Sequence, residues 1–382
     1  MLHFTDAEFG RRLAETRAAM DRRGLDAMLL FAPESQFWLT GYDTFGYCFF
    51  QCLVVPASGE PALLTRSADL RQARLTSTVR DVRIWRDREG ASPAGDLAEL
   101  IRDLGLEGRR LGWETATQGL TFANGRAVEA AVGGLATLVD ASDLMGRLRL
   151  VKSAEEIAHV RRAAALADAA WHAALSETRP GAGEGAILAA MQGAVFRGGG
   201  GYPGNAFITG SGEHALLCRY QEGRRRLDAV DQLNLEWAGV HAHYHAALFK
   251  TVVVGRPRPD HAGLQAAVEE ALLACEGALA PGRTMGEVFD AHARVLDRHG
   301  YGDHRLAACG YSLGPRFPPS WMEDQMFHEG AATEIAPGMV FFLHMILMNS
   351  DTGTAMCLGR TSLVGERGAE PLSRMPLAMV VV

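Results

Sequence analysis

The segment from Leu233 to Thr251, LNLEWAGVHAHYHAALFKT, constrains the fold more than any other part of the chain. It reads as a pair of β-strands set among segments of helical period. An apolar run passes through Leu233 and Leu235, and a β-rich run then ends in Val252-Val253-Val254. Gly239 supplies the expected turn between them. On the second strand His241, His243 and His245 share one parity, so all three are expected to project to one face. Glu236 lies across the turn, where a carboxylate orients an imidazole and raises its basicity. Histidine titrates near neutrality without perturbation, which suits it to general-base work.

With 382 residues the chain is too long for one ordinary core, and two domains are expected. Hydrophobic residues make up 48% and charged residues 22%, the profile of a globular protein. The formal net charge of -7 argues against nonspecific nucleic-acid binding and fits a small-molecule substrate. Apolar runs fall short of the roughly 20 residues that a membrane helix needs. The first residues, MLHFTDAEFGRRL, lack the basic-then-apolar layout of a signal peptide. The 6 cysteines show no CxxC pair, so reduced thiols and a cytoplasmic location are expected.

Thr5 and Glu8 have the spacing of a capping box, and Phe9, Leu13, Thr16 and Met20 follow at helical spacing up to Gly24. A strand is expected at 27–31, a helix at 96–104, a strand at 110–113 and a helix at about 121–131. This alternation predicts an α/β first domain over residues 1–148. Ser153 and Glu156 form a second capping box, opening a helix to about Thr178 and a second domain over 149–382. Further helices are expected at 263–279 and 285–299, with strands near 338–347 and 361–364.

Five segments carry a family resemblance, in order along nearly the whole chain. FAPESQFWLTGYDTFGYCFFQCLVV is similar to an "NMxYLTGYD" segment, and LVKSAEEIAHVRRA to a "KSxxEIxxxRxA" opening. The hairpin is the third. YSLGPRFPPSW is similar to "GYSIGxxxPPxW", and IAPGMVFFL to "LxPGMVFxx". Together they resemble the pita-bread hydrolases, the family of methionine aminopeptidase, aminopeptidase P, prolidase and creatinase, and most of all its creatinase and ectoine hydrolase branch. The resemblance implies an α+β protein, with a pita-bread C-terminal domain preceded by a smaller α/β domain.

It also implies where a site lies. Metal-dependent members carry an Asp on each hairpin strand, where this chain has Glu236 and Ala247. Their "GHGIG" histidine falls on Tyr311. One of their glutamates falls on His344, and the other falls around Leu358-Gly359-Arg360, where no carboxylate occurs. Two divalent cations need several anionic ligands, so no metal and no cofactor are expected. Creatinase works without metal, and its basic His lies in "SGxNxxxxH"; here Arg219 takes that place. A guanidinium cannot act as a base near neutrality, but it is a good fork for a substrate carboxylate.

The expected catalytic set is therefore Glu236, His243, His245, His344 and Tyr311, converging on one pocket, with Arg219 binding substrate. Asp43, Phe45 and Tyr47 lie in an unusually aromatic stretch. By resemblance they close over the pocket of a partner subunit in a homodimer, whereas Phe49 and Phe50 read as core. The expected activity is metal-independent hydrolysis of a C–N bond in a small carboxylate-bearing guanidino, cyclic amidine or amide compound. Two rivals are a metal-dependent Xaa-Pro peptidase, which the missing ligands disfavour, and a non-catalytic binding homologue.

Overall fold

A computed structural model describes residues 2–221 and 223–382. The chain divides into two compact units, Met1–Arg149 and Leu150–Val382. Among the described residues no helix is long and apolar enough to cross a membrane.

In the first unit a sheet carries helices on both faces. Its elements are α1 (Asp6–Arg22), β1 (Ala27–Leu30), α2 (Pro33–Thr40), β2 (Cys52–Pro56), β3 (Ala62–Arg66), α3 (Leu70–Thr76), β4 (Asp81–Trp85), α4 (Pro93–Asp103), β5 (Arg110–Trp113), α5 (Phe122–Val132), β6 (Thr137–Asp140) and α6 (Ser142–Leu150). The strand order is β4-β3-β2-β1-β5-β6. β1 runs parallel to β5 but antiparallel to β2, so the sheet is mixed. Side chains alternate across a strand. Ala27 and Leu29 therefore enter one core with Leu97, Ile101 and Val128, while Met28 and Leu30 enter the other with Met20, Trp38 and Met145. Thr5 caps α1 through its Oγ1, and Thr121 and Ser92 cap α5 and α4 in the same way.

The second unit wraps helices onto a 9-stranded sheet. In chain order it comprises α7 (Ala154–Glu177), α8 (Glu184–Arg197), β7 (Ile208–Ser211), β8 (Asp231–His241), β9 (Tyr244–Val254), α9 (His261–Ala278) and α10 (Met285–Arg298). β10 (Ala308–Ser312), β11 (Met326–His328), β12 (Val340–Asn349), β13 (Thr354–Gly365), β14 (Gly368–Pro371) and β15 (Val380–Val381) follow. The main strand order is β11-β10-β12-β13-β9-β8-β7. Both halves of the Ser153–Glu156 capping box are present at the start of α7. α7 lies on the hairpin, where Trp171 stacks on Trp237 at 5.7 Å and the Trp237 indole N–H donates to the Ala167 carbonyl.

The hairpin corrects one expectation. Gly239 is not its turn but a mid-strand residue opposite Ala246. A Cβ at 239 would stand 1.9 Å from the Ala163 carbonyl oxygen, so the missing side chain lets α7 approach the sheet. The turn is Ala242-His243, two residues with φ of 48° and 62°, between the His241–Tyr244 pair. Both central residues are left-handed, as a two-residue hairpin of this hand requires. The sequence hides the turn, because neither residue is the Asn or Gly that such positions favour.

Candidate active site

The sheet register decides which side chains meet. Directly opposed residues on neighbouring strands project to the same face. Glu236 on β8 opposes Ile208 on β7 and Phe249 on β9. Phe249 opposes Gly359 on β13, and Gly359 opposes His344 on β12. Two residues along β12, Phe342 opposes Tyr311 on β10. Glu236, His344 and Tyr311 therefore share one sheet face. Their neighbours Trp237 and Arg360 point the other way, to α7 and to Glu276 of α9 respectively.

On that face lies a cavity of about 260 Å³ lined by Glu236, Tyr311, Trp321, His344, Cys218 and Arg219. Ile208, Met322, Met326 and Ile346 give it apolar walls. Burial pushes the Glu236 carboxyl up to about 7, against the opposing effects of the Tyr311 hydrogen bond and the Arg219 charge. The Tyr311 O–H donates to Glu236 Oε1 at 3.4 Å and its oxygen accepts the Trp321 indole N–H at 2.8 Å. The same burial, with Glu236 alongside, raises the Tyr311 phenol well above its usual range, so it stays protonated. Burial lowers the His344 imidazole to about 4, so it is neutral at neutral pH. Its buried Nδ1 has no hydrogen-bond partner among the described residues. Arg219 is exposed and sits at the rim.

Other expected site residues go elsewhere. The three histidines do not share a face, because the true turn lies between them. His241 ends β8 on the side facing α7, with its Nδ1 2.8 Å from His159 Nδ1. His243 is in the turn itself, its ring stacked on Phe317 at 4.0 Å. His245 does share the Glu236 face, but it opposes Val240, four residues along from Glu236. At the usual strand rise that is about 13 Å away. Its Nε2 accepts the Gly204 N–H, so the proton sits on Nδ1, and burial lowers it to about 3. Neither His243 nor His245 lines the cavity.

In the first unit Tyr47 is buried and Asp43 half-buried, whereas Phe45 is 75% exposed. Phe50 joins the core, but Phe49 does not: it is exposed beneath the Arg66 guanidinium, 4.2 Å from the ring centre. Sequence reasoning gave no role to Trp321 or to Cys218. A buried Trp needs a partner for its N–H, and that requirement was the available signal at Trp321.

A largely antiparallel sheet backed by helices, with a cavity on one face and a mixed α/β unit before it in the chain, fits the pita-bread class. The chain belongs to metallopeptidase family M24, whose model matches residues 158–366, and the creatinase/prolidase N-terminal domain matches residues 12–151. It is 26% identical over 400 residues to the ectoine hydrolase of Halomonas elongata, covering 100% of this chain and 98% of that one. An uncharacterized hydrolase/peptidase of Sinorhizobium fredii is 28% identical over 394 residues, with 100% and 99% covered. Among solved structures, dipeptidase PepE from Mycobacterium ulcerans matches with a TM-score of 0.85 at 25% identity, covering 99% of each chain. These relatives are hydrolases and peptidases.

The family name implies a metal, and the residues here do not fit one. Position 247 offers only a methyl group, and the Tyr311 hydroxyl is engaged by Glu236 and Trp321. At Gly359 a Cβ would stand 2.9 Å from the Phe342 ring, so an aromatic side chain fills the room a ligand there would need. Among the described residues no group of three or more His, Cys, Asp or Glu could hold a metal ion.

Proposed function

We propose that this protein hydrolyses a C–N bond in a small carboxylate-bearing compound, an amide, guanidino acid or cyclic amidine, without a metal. One observation carries the reading: a buried carboxyl, hydrogen-bonded by the Tyr311 hydroxyl, faces a cavity that, among the described residues, has no metal-ligand set, and burial pushes it up to about 7. A group with that pKa takes and returns protons at neutral pH. Glu236 removes a proton from water as its oxygen attacks the scissile carbon. The Tyr311 O–H donates to the negative charge that develops at that centre. The protonated Glu236 then delivers its proton to the leaving nitrogen as the C–N bond breaks. Neutral His344 hydrogen-bonds the substrate, and Arg219 at the rim pairs with its carboxylate. His243 and His245 are assigned to the hairpin's structure. The chain works as a homodimer, with exposed Phe45 at a subunit interface.

The test is a hydrolysis screen over carboxylate-bearing amides, guanidino acids and cyclic amidines, read by mass spectrometry of the products. Turnover of at least one class is expected, unchanged by EDTA or by added divalent cations and lost in Glu236→Gln. Turnover of Xaa-Pro dipeptides that needs about two bound metal ions per chain would overturn the reading.

A further inference from the structure

Trp321 lies at the cavity wall but does not offer its indole N–H to the cavity. The residue is 1% exposed, and its Nε1–H is spent on the Tyr311 oxygen at 2.8 Å. Its backbone N–H is held in turn by the Asn205 side-chain oxygen at 3.2 Å, which ties the indole to the segment preceding β7. A phenol oxygen that accepts one strong hydrogen bond has its own proton left to give. With the indole on one side, that proton is directed to the other, where Glu236 Oε1 lies 3.4 Å away. With Glu236 ionised, the order of donation is indole to phenol, phenol to carboxylate. Accepting a hydrogen bond also strengthens the phenol as a donor, since linked hydrogen bonds polarise one another.

We infer that Trp321 is a positioning residue that sets the Tyr311 hydroxyl as a one-way donor into the cavity. The inference rests on the hydrolytic reading for its consequence in catalysis, but the contact itself is independent of any substrate. When a substrate displaces the long Tyr311–Glu236 bond, the phenol keeps its proton and turns its hydrogen bond to the substrate atom that gains negative charge. Glu236 is thereby released to take its proton from water. The titratable groups around Glu236 are Tyr311 from β10, Cys218 and Arg219 from the segment after β7, Cys357 from β13 and, lining the same cavity, His344 from β12. Among them Tyr311 is the hydrogen-bond donor to its carboxylate.

The test uses the full chain with 15N-labelled tryptophan and three variants, Trp321→Phe, Tyr311→Phe and their combination. Trp321→Phe removes the N–H while keeping an aromatic ring, and it identifies the Trp321 indole resonance by its loss. Tyr311→Phe is expected to shift that resonance and to leave the other indoles in place. With a substrate found by the hydrolysis screen, each single variant is expected to lower kcat about tenfold or more while KM stays nearly constant. The combined variant is expected to be no slower than Tyr311→Phe alone, because the indole acts only through the phenol. A merely structural Trp321 would add its loss to that of Tyr311. An unmoved indole resonance in Tyr311→Phe, or additive losses in kcat, would overturn the inference. If the resonance shifts while Glu236→Gln keeps full activity, the hydrolytic reading falls and the donor assignment stands.

Discussion

At the scale of single residues, the site joins two opposite responses to burial. Desolvation penalises charge, so it raises a carboxyl and lowers an imidazole. Glu236 at about 7 and His344 at about 4 are consequences of the same apolar wall. Folding therefore holds Glu236 protonated more firmly than the unfolded chain does, where its pKa is near 4.5. Between pH 4.5 and 7 the folded state binds the extra proton, so this group's contribution to stability falls as pH rises. Above pH 7 the cost is about 3 kcal/mol. Glu236→Gln is accordingly expected to raise the melting temperature at pH 8 and to leave it nearly unchanged at pH 5, while abolishing turnover. Equal melting temperatures for variant and parent at pH 8 would contradict the buried, desolvated carboxylate. In the parent enzyme the acid limb of kcat/KM is expected near pH 7, because the base form of Glu236 appears there.

At the scale of elements, the sequence exposed the helices better than the turns. The helix start at Ser153 is legible because a hydroxyl and a Glu three residues on make a local, self-contained motif, and the same motif stands unread at Thr284. The strand at Arg110–Trp113 was also legible. The hairpin turn was not, because a glycine signals either a bend or a close approach, and only the packing of α7 decides which. That error moved His243 and placed all three histidines on one face. Glu236, Tyr311 and His344 were named from family motifs rather than from spacing, since their meeting depends on the register of β8, β9, β13, β12 and β10. Two substitutions separate the roles of the hairpin residues. Gly239→Ala is expected to lower the melting temperature by driving a methyl into the Ala163 carbonyl, at a cost of about 1–3 kcal/mol or more. Ala242→Asn is expected to stabilise the hairpin by up to about 1 kcal/mol, because asparagine tolerates the left-handed region that alanine resists. Measured in thermal melts, the opposite order of stabilities would return the turn to Gly239.

At the scale of the whole molecule, the two units carry different balances of buried carboxyls and imidazoles. The first unit holds Glu114 at about 7, raised by burial although Phe31, Ala32 and Ser35 donate to it. The second holds four histidines lowered chiefly by burial: His245 to about 3, His292 and His344 to about 4, and His261 in the same direction. For a lowered histidine the unfolded state binds more protons between the folded value and 6.5. The second unit therefore loses stability as pH falls through 6.5 toward 4. Glu236 works against this trend, but it is one group against four. For Glu114 the sign is reversed, because its folded form holds the proton, so acid pH favours the first unit until pH 4.5. Calorimetry across pH 5 to 8 is thus expected to show the transition of the second unit falling with acid while that of the first holds or rises. Limited proteolysis at pH 5 should cut first within residues 150–382. A single transition whose midpoint does not move between pH 5 and 6.5 would show that these imidazoles are not held neutral. His292→Leu tests the cause on its own: this side chain is 1% exposed and its Nδ1 has no hydrogen-bond partner among the described residues. The substitution is expected to make the acid side of the second unit's profile less steep by one histidine's share without moving the first.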